Sequence, residues 1–223
     1  MVEPPVNRVD QRIARTPMKG GLTKSRIEAL CDGVFAIAMT LMAFSIKVPS
    51  IPRDADNARL AAVLFELWPQ FVTYIISFVM LGVYWIGHHN QFHYIRHSDR
   101  VLLWINVVFL MFVTLIPFST EVLGQNRGQP VAVVFYGVNL TILGFILQAQ
   151  WWYATTNHRL TDPDLDLVFV RLFKNRIQLG LFFLLISIAI SLVSTRLSLL
   201  VFAAIAIFYI LPGHVDRYWT PKK

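Results

Sequence analysis

Histidines crowd one short stretch of this chain, and imidazole is well suited to metal binding and to proton transfer near neutral pH. His89, His93 and His97 recur every four residues, and His88 precedes them directly. On a helix this spacing puts the three on one face, where two imidazoles a turn apart can bind zinc or another transition metal. A solvated basic helix face and a pH-responsive role are the alternatives. With six histidines in all, the chain has too few to fill the metal sites of a histidine-rich membrane oxygenase, so we predict no metal site.

The other residue types that do chemistry form no recognisable catalytic site. The sequence contains no Ser/His/Asp arrangement, phosphate-binding loop or dinucleotide fingerprint. Its apolar stretches carry no Asp, Glu, Lys or Arg near their middles, where proton and ion carriers often use one. We therefore expect no enzyme and no cofactor. A passive path is favoured over a coupled pump, with a secondary transporter or proton-coupled carrier as the alternative.

The composition is that of a membrane protein. Of the 223 residues, 56% are hydrophobic and 15% are charged, against roughly 25% charged residues in soluble domains. The apolar residues occur in long runs, which predicts several membrane crossings. The net charge of +7 would suggest nucleic acid as the partner of a soluble protein. Here we assign that charge to loops on the inner side of the membrane and expect no nucleic-acid partner.

Six apolar segments are predicted to cross the membrane as helices, so the expected fold is all-α. They cover residues 26–48, 71–89, 101–118, 131–153, 177–194 and 197–211. The second helix is expected to continue into the aqueous region through residues 91–97. This layout divides the chain into a basic cytoplasmic tail (1–25), a six-helix transmembrane domain (26–212) and a C-terminal cytoplasmic tail (213–223).

The basic residues predict the orientation. Six crossings put both chain ends on one side, and that side collects most of the Lys and Arg. The opposite side holds only Lys47, Arg53, Arg59, Arg127 and Arg196. Because cytoplasmic loops carry an excess of Lys and Arg, both termini are expected in the cytoplasm, and the chain is expected to be a multi-pass protein of the cell membrane.

This topology brings polar residues of two helices to the same membrane face. Arg26 and Asp32 lie in the first turns of the first segment, and Trp85, His88 and His89 lie near the end of the second. A network of Arg26, Asp32, Trp85 and one of the two histidines is therefore sterically possible. The alternative is that each side chain only reaches to the membrane interface by itself.

The first segment also carries two stripes at helical spacing. Ile37, Leu41 and Phe44 form a bulky apolar stripe, which could close a narrow path by excluding water. Small residues form a stripe beside it: Ala29, Gly33, Ala36, Thr40 and Ala43. A stripe of small residues lets helices approach closely in lipid. From the spacing alone, two packing faces of an ordinary bundle helix explain both stripes as well.

Two motifs resemble the transmembrane protein 175 family, the bacterial relatives of the lysosomal potassium channel. Residues 26–37 read RIEALCDGVFAI and are followed by Thr40-Leu41; the family pattern is an arginine, three residues, Phe-Ser-Asp, Gly-Val and a run ending in Thr-Leu. Residues 84–92 read YWIGHHNQF and are similar to the second family signature. Leu30 and Cys31 depart from the family's Phe-Ser, and Phe44 replaces a smaller aliphatic residue.

The resemblance implies a homotetramer of six-helix subunits in a lipid bilayer, with the first helix of each subunit lining a central pore. The bulky stripe would then form the pore constriction (Ile37, Leu41 and Phe44), and Thr40 would supply a ring of four pore hydroxyls. The polar residues of the two motifs would form a structural network that holds the first helix (Arg26, Asp32, Trp85, His88 and His89). The implied function is a potassium-selective channel whose permeant ion is potassium.

Overall fold

The structure is a computed structural model that describes residues 24–51, 56–126 and 128–211, and the elements in these ranges are helices. In chain order they are α1 (Lys24–Leu41), a 3₁₀ turn (Met42–Ser45), α2 (Asn57–Glu66), α3 (Trp68–Tyr94), α4 (Arg100–Thr114), α5 (Ile116–Gln125), α6 (Pro130–Thr155), a second 3₁₀ turn (Thr156–His158), α7 (Leu167–Ser191) and α8 (Thr195–Ile210). The all-α prediction is confirmed for these ranges. The predicted tails, apart from residues 24 and 25, lie outside them.

Within the described ranges, five helical segments are long and apolar enough to cross a membrane: Lys24–Ser45, Trp68–Tyr94, Arg100–Gln125, Pro130–His158 and Leu167–Ser191. The third of these combines α4 and α5. The sixth predicted span corresponds to α8, which is apolar but has 16 residues. At 1.5 Å per residue it covers about 24 Å, less than the roughly 30 Å of a hydrocarbon core. The sixth crossing therefore stays a prediction.

Local chemistry explains several helix ends. Asp56 caps α2, because its carboxylate accepts a hydrogen bond from the Arg59 backbone N–H at 2.8 Å. Pro69 lies in the first turn of α3, where its missing N–H costs no helical hydrogen bond. Pro117 takes the same place in α5, directly after the break at Leu115. Ser194 caps α8 after a tight turn from α7, which makes these two helices a hairpin.

The prediction that α3 continues through residue 97 is wrong. The helix ends at Tyr94, Ile95 is extended, and Ile95 forms an antiparallel bridge with Thr161. The Arg96 side chain then pairs with Asp162 at 2.7 Å. These tertiary contacts replace the next helical turn, so His97 lies outside the helix and does not share a helix face with His89 and His93.

The centre of the bundle is α6, which packs against α3, α4, α5 and α7. Tyr136, Leu140 and Leu143 on α6 are completely buried, and the rings of Tyr136 and Phe202 meet edge to face. In contrast, α1 lies at the edge of the bundle, where it packs on α3, α4 and α5 along one side. The other side of α1 is left exposed by the residues that the structure describes.

Candidate pore helix and its anchor

One stripe of α1 and the following 3₁₀ turn is buried against the bundle: Ile27, Cys31, Phe35, Ala38 and Met42 are each at most 2% exposed. The ring of Phe35 packs on that of Phe109 with the centroids 5.9 Å apart. This stripe is neither of the two that the sequence singled out. Because α1 is apolar on most of its circumference, spacing alone does not show which side meets the bundle.

Both predicted stripes lie on the exposed part of α1. Ile37, Leu41 and Phe44 are 59%, 47% and 70% exposed in the single chain. Leu41 is the last residue of α1, and Phe44 follows in the 3₁₀ turn. The four α-helical steps from Ile37 to Leu41 rise about 6 Å in total, and the three 3₁₀ steps from Leu41 to Phe44 also rise about 6 Å in total. The three bulky side chains therefore form successive layers along the helix axis.

The small-residue stripe is exposed as well. At Gly33 an added Cβ would meet nothing within 4 Å, so no helix in the described ranges makes use of the close approach that a glycine permits. Thr40 is exposed, and its hydroxyl donates a 2.8 Å hydrogen bond to the Ile37 carbonyl. The threonine oxygen thus keeps its lone pairs available as acceptors.

A buried polar contact anchors α1 to α3 and α4. The Asn106 Oδ1 lies 2.9 Å from His88 Nε2 and accepts a hydrogen bond from the Cys31 thiol at 3.3 Å. The sulfur is also 3.6 Å from His88 Nε2. The imidazole ring stacks on Phe92 and Phe109, with centroid distances of 4.4 and 5.4 Å. Three helices are therefore joined at one point by polar groups within an apolar contact.

The exposed members of the predicted network are brought together only in part. Trp85 Nε1 donates to Asp32 Oδ1 at 2.8 Å, and the rings of Trp85 and His89 stack with centroids 5.9 Å apart. His88 joins the buried anchor instead. Arg26 is exposed and makes no hydrogen bond or ion pair with the residues that the structure describes. A single chain therefore leaves the guanidinium outside this network.

Asn106 is the part of the anchor that sequence reasoning missed. It is 2% exposed, and it lies within an apolar helix outside both motifs. An amide in such a helix predicts a hydrogen bond to some neighbour, but its sequence position does not identify that neighbour. A second unforeseen contact lies just after the 3₁₀ turn that follows α1. There the Lys47 backbone N–H donates to Gln70 Oε1 at 2.8 Å, and Lys47 Nζ lies 3.5 Å from Glu121.

Comparison with known proteins decides the family. The family described as endosomal/lysosomal potassium channel TMEM175 matches residues 26–117. A protein of Streptomyces collinus named as a potassium channel is 34% identical over 189 residues, which is 82% of this chain and 90% of that protein. The chain belongs to the TMEM175 family.

Further TMEM175 relatives agree in length and in structure. A protein of Chamaesiphon minutus, also named as a potassium channel, is 33% identical over 190 residues, or 83% of this chain and 93% of that one. A crystal structure described as a lysosomal potassium-selective channel TMEM175 homologue from the same organism superposes with a TM-score of 0.74 at 29% identity. It covers 84% of this chain and 96% of the other. The resemblance inferred from the two motifs is thereby confirmed.

The TMEM175 match includes α1, α3 and α4, so it contains both the buried anchor and the exposed stripes of α1. TMEM175 is a family of channels, and the protein is accordingly not an enzyme. No three His, Cys, Asp or Glu side chains in the described ranges lie close enough together to hold a metal ion.

Proposed function

We propose that this protein is a potassium channel, formed by four copies of the chain around an axis lined by α1. The observation that carries the proposal is the row of bulky residues Ile37, Leu41 and Phe44. They lie on the part of α1 and of the following 3₁₀ turn that the other described residues leave uncovered. The potassium-channel names of the Streptomyces and Chamaesiphon relatives support the permeant ion.

Ile37, Leu41 and Phe44 form the constriction in this proposal. Four copies of each side chain around the axis would make three apolar rings about 6 Å apart. Such rings resist wetting when they are narrow, and an unwetted segment stops ions because it offers them no hydration. Opening would then require the four α1 helices to move apart or to rotate.

Thr40 contributes to selectivity. It lies between Ile37 and Leu41 in the chain, and its hydroxyl proton is already used in the bond to the Ile37 carbonyl. The oxygen lone pairs therefore remain free to contact a cation. Four copies of Thr40 would form a ring of acceptors between the Ile37 and Leu41 layers. Potassium is a hard cation, and oxygen ligands bind it well. Other potassium channels use carbonyl oxygens in this way.

The network residues hold α1 in place relative to the other helices. His88 and the Asp32–Trp85 pair join α1 to α3 within one chain, with His89 stacked beside Trp85. Arg26 completes the network in the assembled tetramer, where the first turns of neighbouring α1 helices are close to the axis. This role would make the network a condition of assembly rather than of permeation.

The protein is a multi-pass membrane protein, and we propose that it resides in the cell membrane with both termini in the cytoplasm. The excess of Lys and Arg at the chain ends and in the loops after the second and fourth predicted spans supports this orientation. It requires α8 to cross as the sixth span. An even number of crossings also keeps the tails 1–25 and 213–223 on the same side.

Single-channel recording of the purified chain in a planar bilayer tests the function. With potassium on one side and sodium on the other, we expect discrete openings whose reversal potential is displaced towards the potassium equilibrium potential. Saturating transport without unitary openings would favour a carrier instead.

Cysteine cross-linking tests the assembly. In a Cys31→Ser background, Leu41→Cys is expected to form covalent dimers on oxidation, because the Leu41 side chains of neighbouring subunits meet at the axis. Val107→Cys, on an exposed position of α4, is the matched control and should remain monomeric on a denaturing gel. Native mass spectrometry of the untreated protein should give four chains; another number would contradict the tetramer.

A further inference from the structure

A cavity of about 300 Å³ lies between α3, α6, α7 and α8, on the side of the bundle that does not include α1. Its volume reaches the lower end of the range for ligand pockets. The lining extends from Met80 to Asn90 along α3 and from Phe173 to Leu184 along α7. At 1.5 Å per residue these stretches correspond to a length of about 15 Å. The cavity is therefore elongated along the helices.

The two ends of the cavity differ in polarity. Met80, Leu184 and Ile205 line one end and are buried apolar residues. Asn90 and Arg176 line the other end. Tyr209 fixes Arg176 there, since its hydroxyl donates to the Arg176 carbonyl at 2.6 Å and its ring lies 5.4 Å from the guanidinium carbon. An elongated apolar cavity with a cation at one end is complementary to an anionic amphiphile, which has an apolar chain and a negatively charged head group.

Asn90 provides a separate indication of a ligand. The residue is 8% exposed and lines the cavity, yet its Oδ1 has no hydrogen-bond partner among the described residues. An unsatisfied buried amide oxygen costs free energy. A ligand hydroxyl would satisfy it directly, and rotation of the amide would instead turn the NH₂ group towards an anionic oxygen.

The cavity also reaches the outer surface of the bundle. Ile86 and Ile210 belong to its lining and are 50% and 64% exposed, so a lipid can enter sideways between α3 and α8. The close contact between α7 and α8 near the cavity depends on Gly180, because a Cβ there would clash with the Tyr209 hydroxyl.

We propose that this cavity binds the acyl chain of an anionic lipid, with the head group against Arg176 and Asn90. Basic pockets between transmembrane helices are suited to anionic head groups. The shared chemistry is an alkyl chain that ends in a phosphate or a carboxylate, as in an anionic phospholipid or a fatty acid. The site is separate from α1, so the proposal does not depend on the pore.

Lipid retention by the purified full-length chain tests this site. The protein is incubated with phosphatidylglycerol, palmitate or phosphatidylcholine in detergent, and lipid bound per chain is measured by native mass spectrometry together with the shift in melting temperature. Phosphatidylglycerol and palmitate separate the phosphate source from the carboxylate source, and phosphatidylcholine measures binding without net charge. We expect at least one anionic lipid to be retained more strongly than phosphatidylcholine.

Two pairs of variants locate the binding. Arg176→Gln should remove the preference for the anionic lipid, whereas Arg171→Gln, an exposed position on the same helix, should keep it. Leu184→Phe should fill the apolar end and reduce binding of the retained lipid several-fold, whereas Leu185→Phe, which is 49% exposed, should not. Val83→Phe fills the same cavity from α3 if Leu184→Phe does not fold.

Three results would overturn the proposal. The first is no preference for either anionic lipid in the parent protein. The second is an equal loss of preference in Arg171→Gln, which would indicate general surface charge. The third is unchanged binding in a folded cavity-filling variant. None of these outcomes affects the potassium-channel proposal, which is measured by recording.

Discussion

The Nε2 of His88 lies 2.9 Å from Oδ1 of Asn106, in the apolar contact where α1, α3 and α4 meet. The Cys31 thiol donates to the same oxygen at 3.3 Å, and the Nε2–H tautomer of His88 is the one that would donate to it as well. One amide oxygen therefore contacts polar groups from two different helices. This arrangement fixes the buried stripe of α1, and with it the direction in which Ile37, Leu41 and Phe44 point.

Asn106→Leu should destabilise the protein, because it leaves His88 and Cys31 without their acceptor in an apolar environment. The expected loss is about 1 to 3 kcal/mol of unfolding free energy, measured as a lower midpoint of thermal unfolding in detergent. Cys31→Ser is the matched control: a hydroxyl is the stronger donor at this position, so stability should be kept or raised. Equal stability of Asn106→Leu and the parent would mean that the contact does not anchor α1.

Arg26→Ala should weaken the tetramer. Arg26 has no partner within the described part of its own chain, so in our proposal its contacts form on assembly. We expect a lower temperature of subunit dissociation and a smaller tetramer fraction in size-exclusion chromatography. Arg59→Ala removes an exposed arginine of α2 as the control. If the Arg26→Ala tetramer withstands heating as well as the parent does, the proposed role of Arg26 is wrong.

Ile37→Asn should increase resting potassium flux in reconstituted vesicles. An amide in the first apolar ring lets water enter the constriction. We expect roughly a tenfold increase, which corresponds to about 1.4 kcal/mol off the barrier. Val107→Asn introduces the same amide at an exposed position of α4 and should leave the flux unchanged. An assembled Ile37→Asn channel with parental flux would exclude Ile37 from the constriction.

Thr40→Val should lower the preference for potassium over sodium, because valine keeps the shape of threonine and removes the hydroxyl oxygen. The measurement is the reversal potential under a potassium/sodium gradient. Thr40→Ser keeps the oxygen and should preserve the preference. A parental reversal potential in Thr40→Val would show that the hydroxyl ring does not select the ion, while leaving the constriction proposal intact.

Much of the fold could be predicted from the sequence because transmembrane helices depend on local properties. The starts of α3, α4 and α6 fall within a few residues of the predicted spans, since apolar runs and prolines mark them. One mispredicted boundary depends on a contact far away in the chain. The end of α3 at Tyr94 is set by the bridge between Ile95 and Thr161, and nothing near residue 95 signals this partner.

The candidate site likewise contains some contacts that could be predicted from the sequence and others that could not. Asp32 and Trp85 could be placed in one network from the sequence, because both were predicted near the same membrane face, and the structure joins them by a hydrogen bond. Asn106 could not be assigned to His88, since an amide in an apolar helix has several possible neighbours. Arg26 was expected in the same network but lies outside it in the described part of the chain.

The sequence by itself determined the membrane class, the approximate positions of the helices and the family, because these follow from the length of apolar runs and from short motifs. Only the tertiary structure decided which side of α1 is buried. A helix that is apolar on most of its circumference has no single hydrophobic face, so its orientation depends on the few polar contacts that its neighbours can satisfy. The contact of Asn106 with Cys31 and His88 holds one stripe against α3 and α4, and the bulky stripe stays exposed in the described part of the chain.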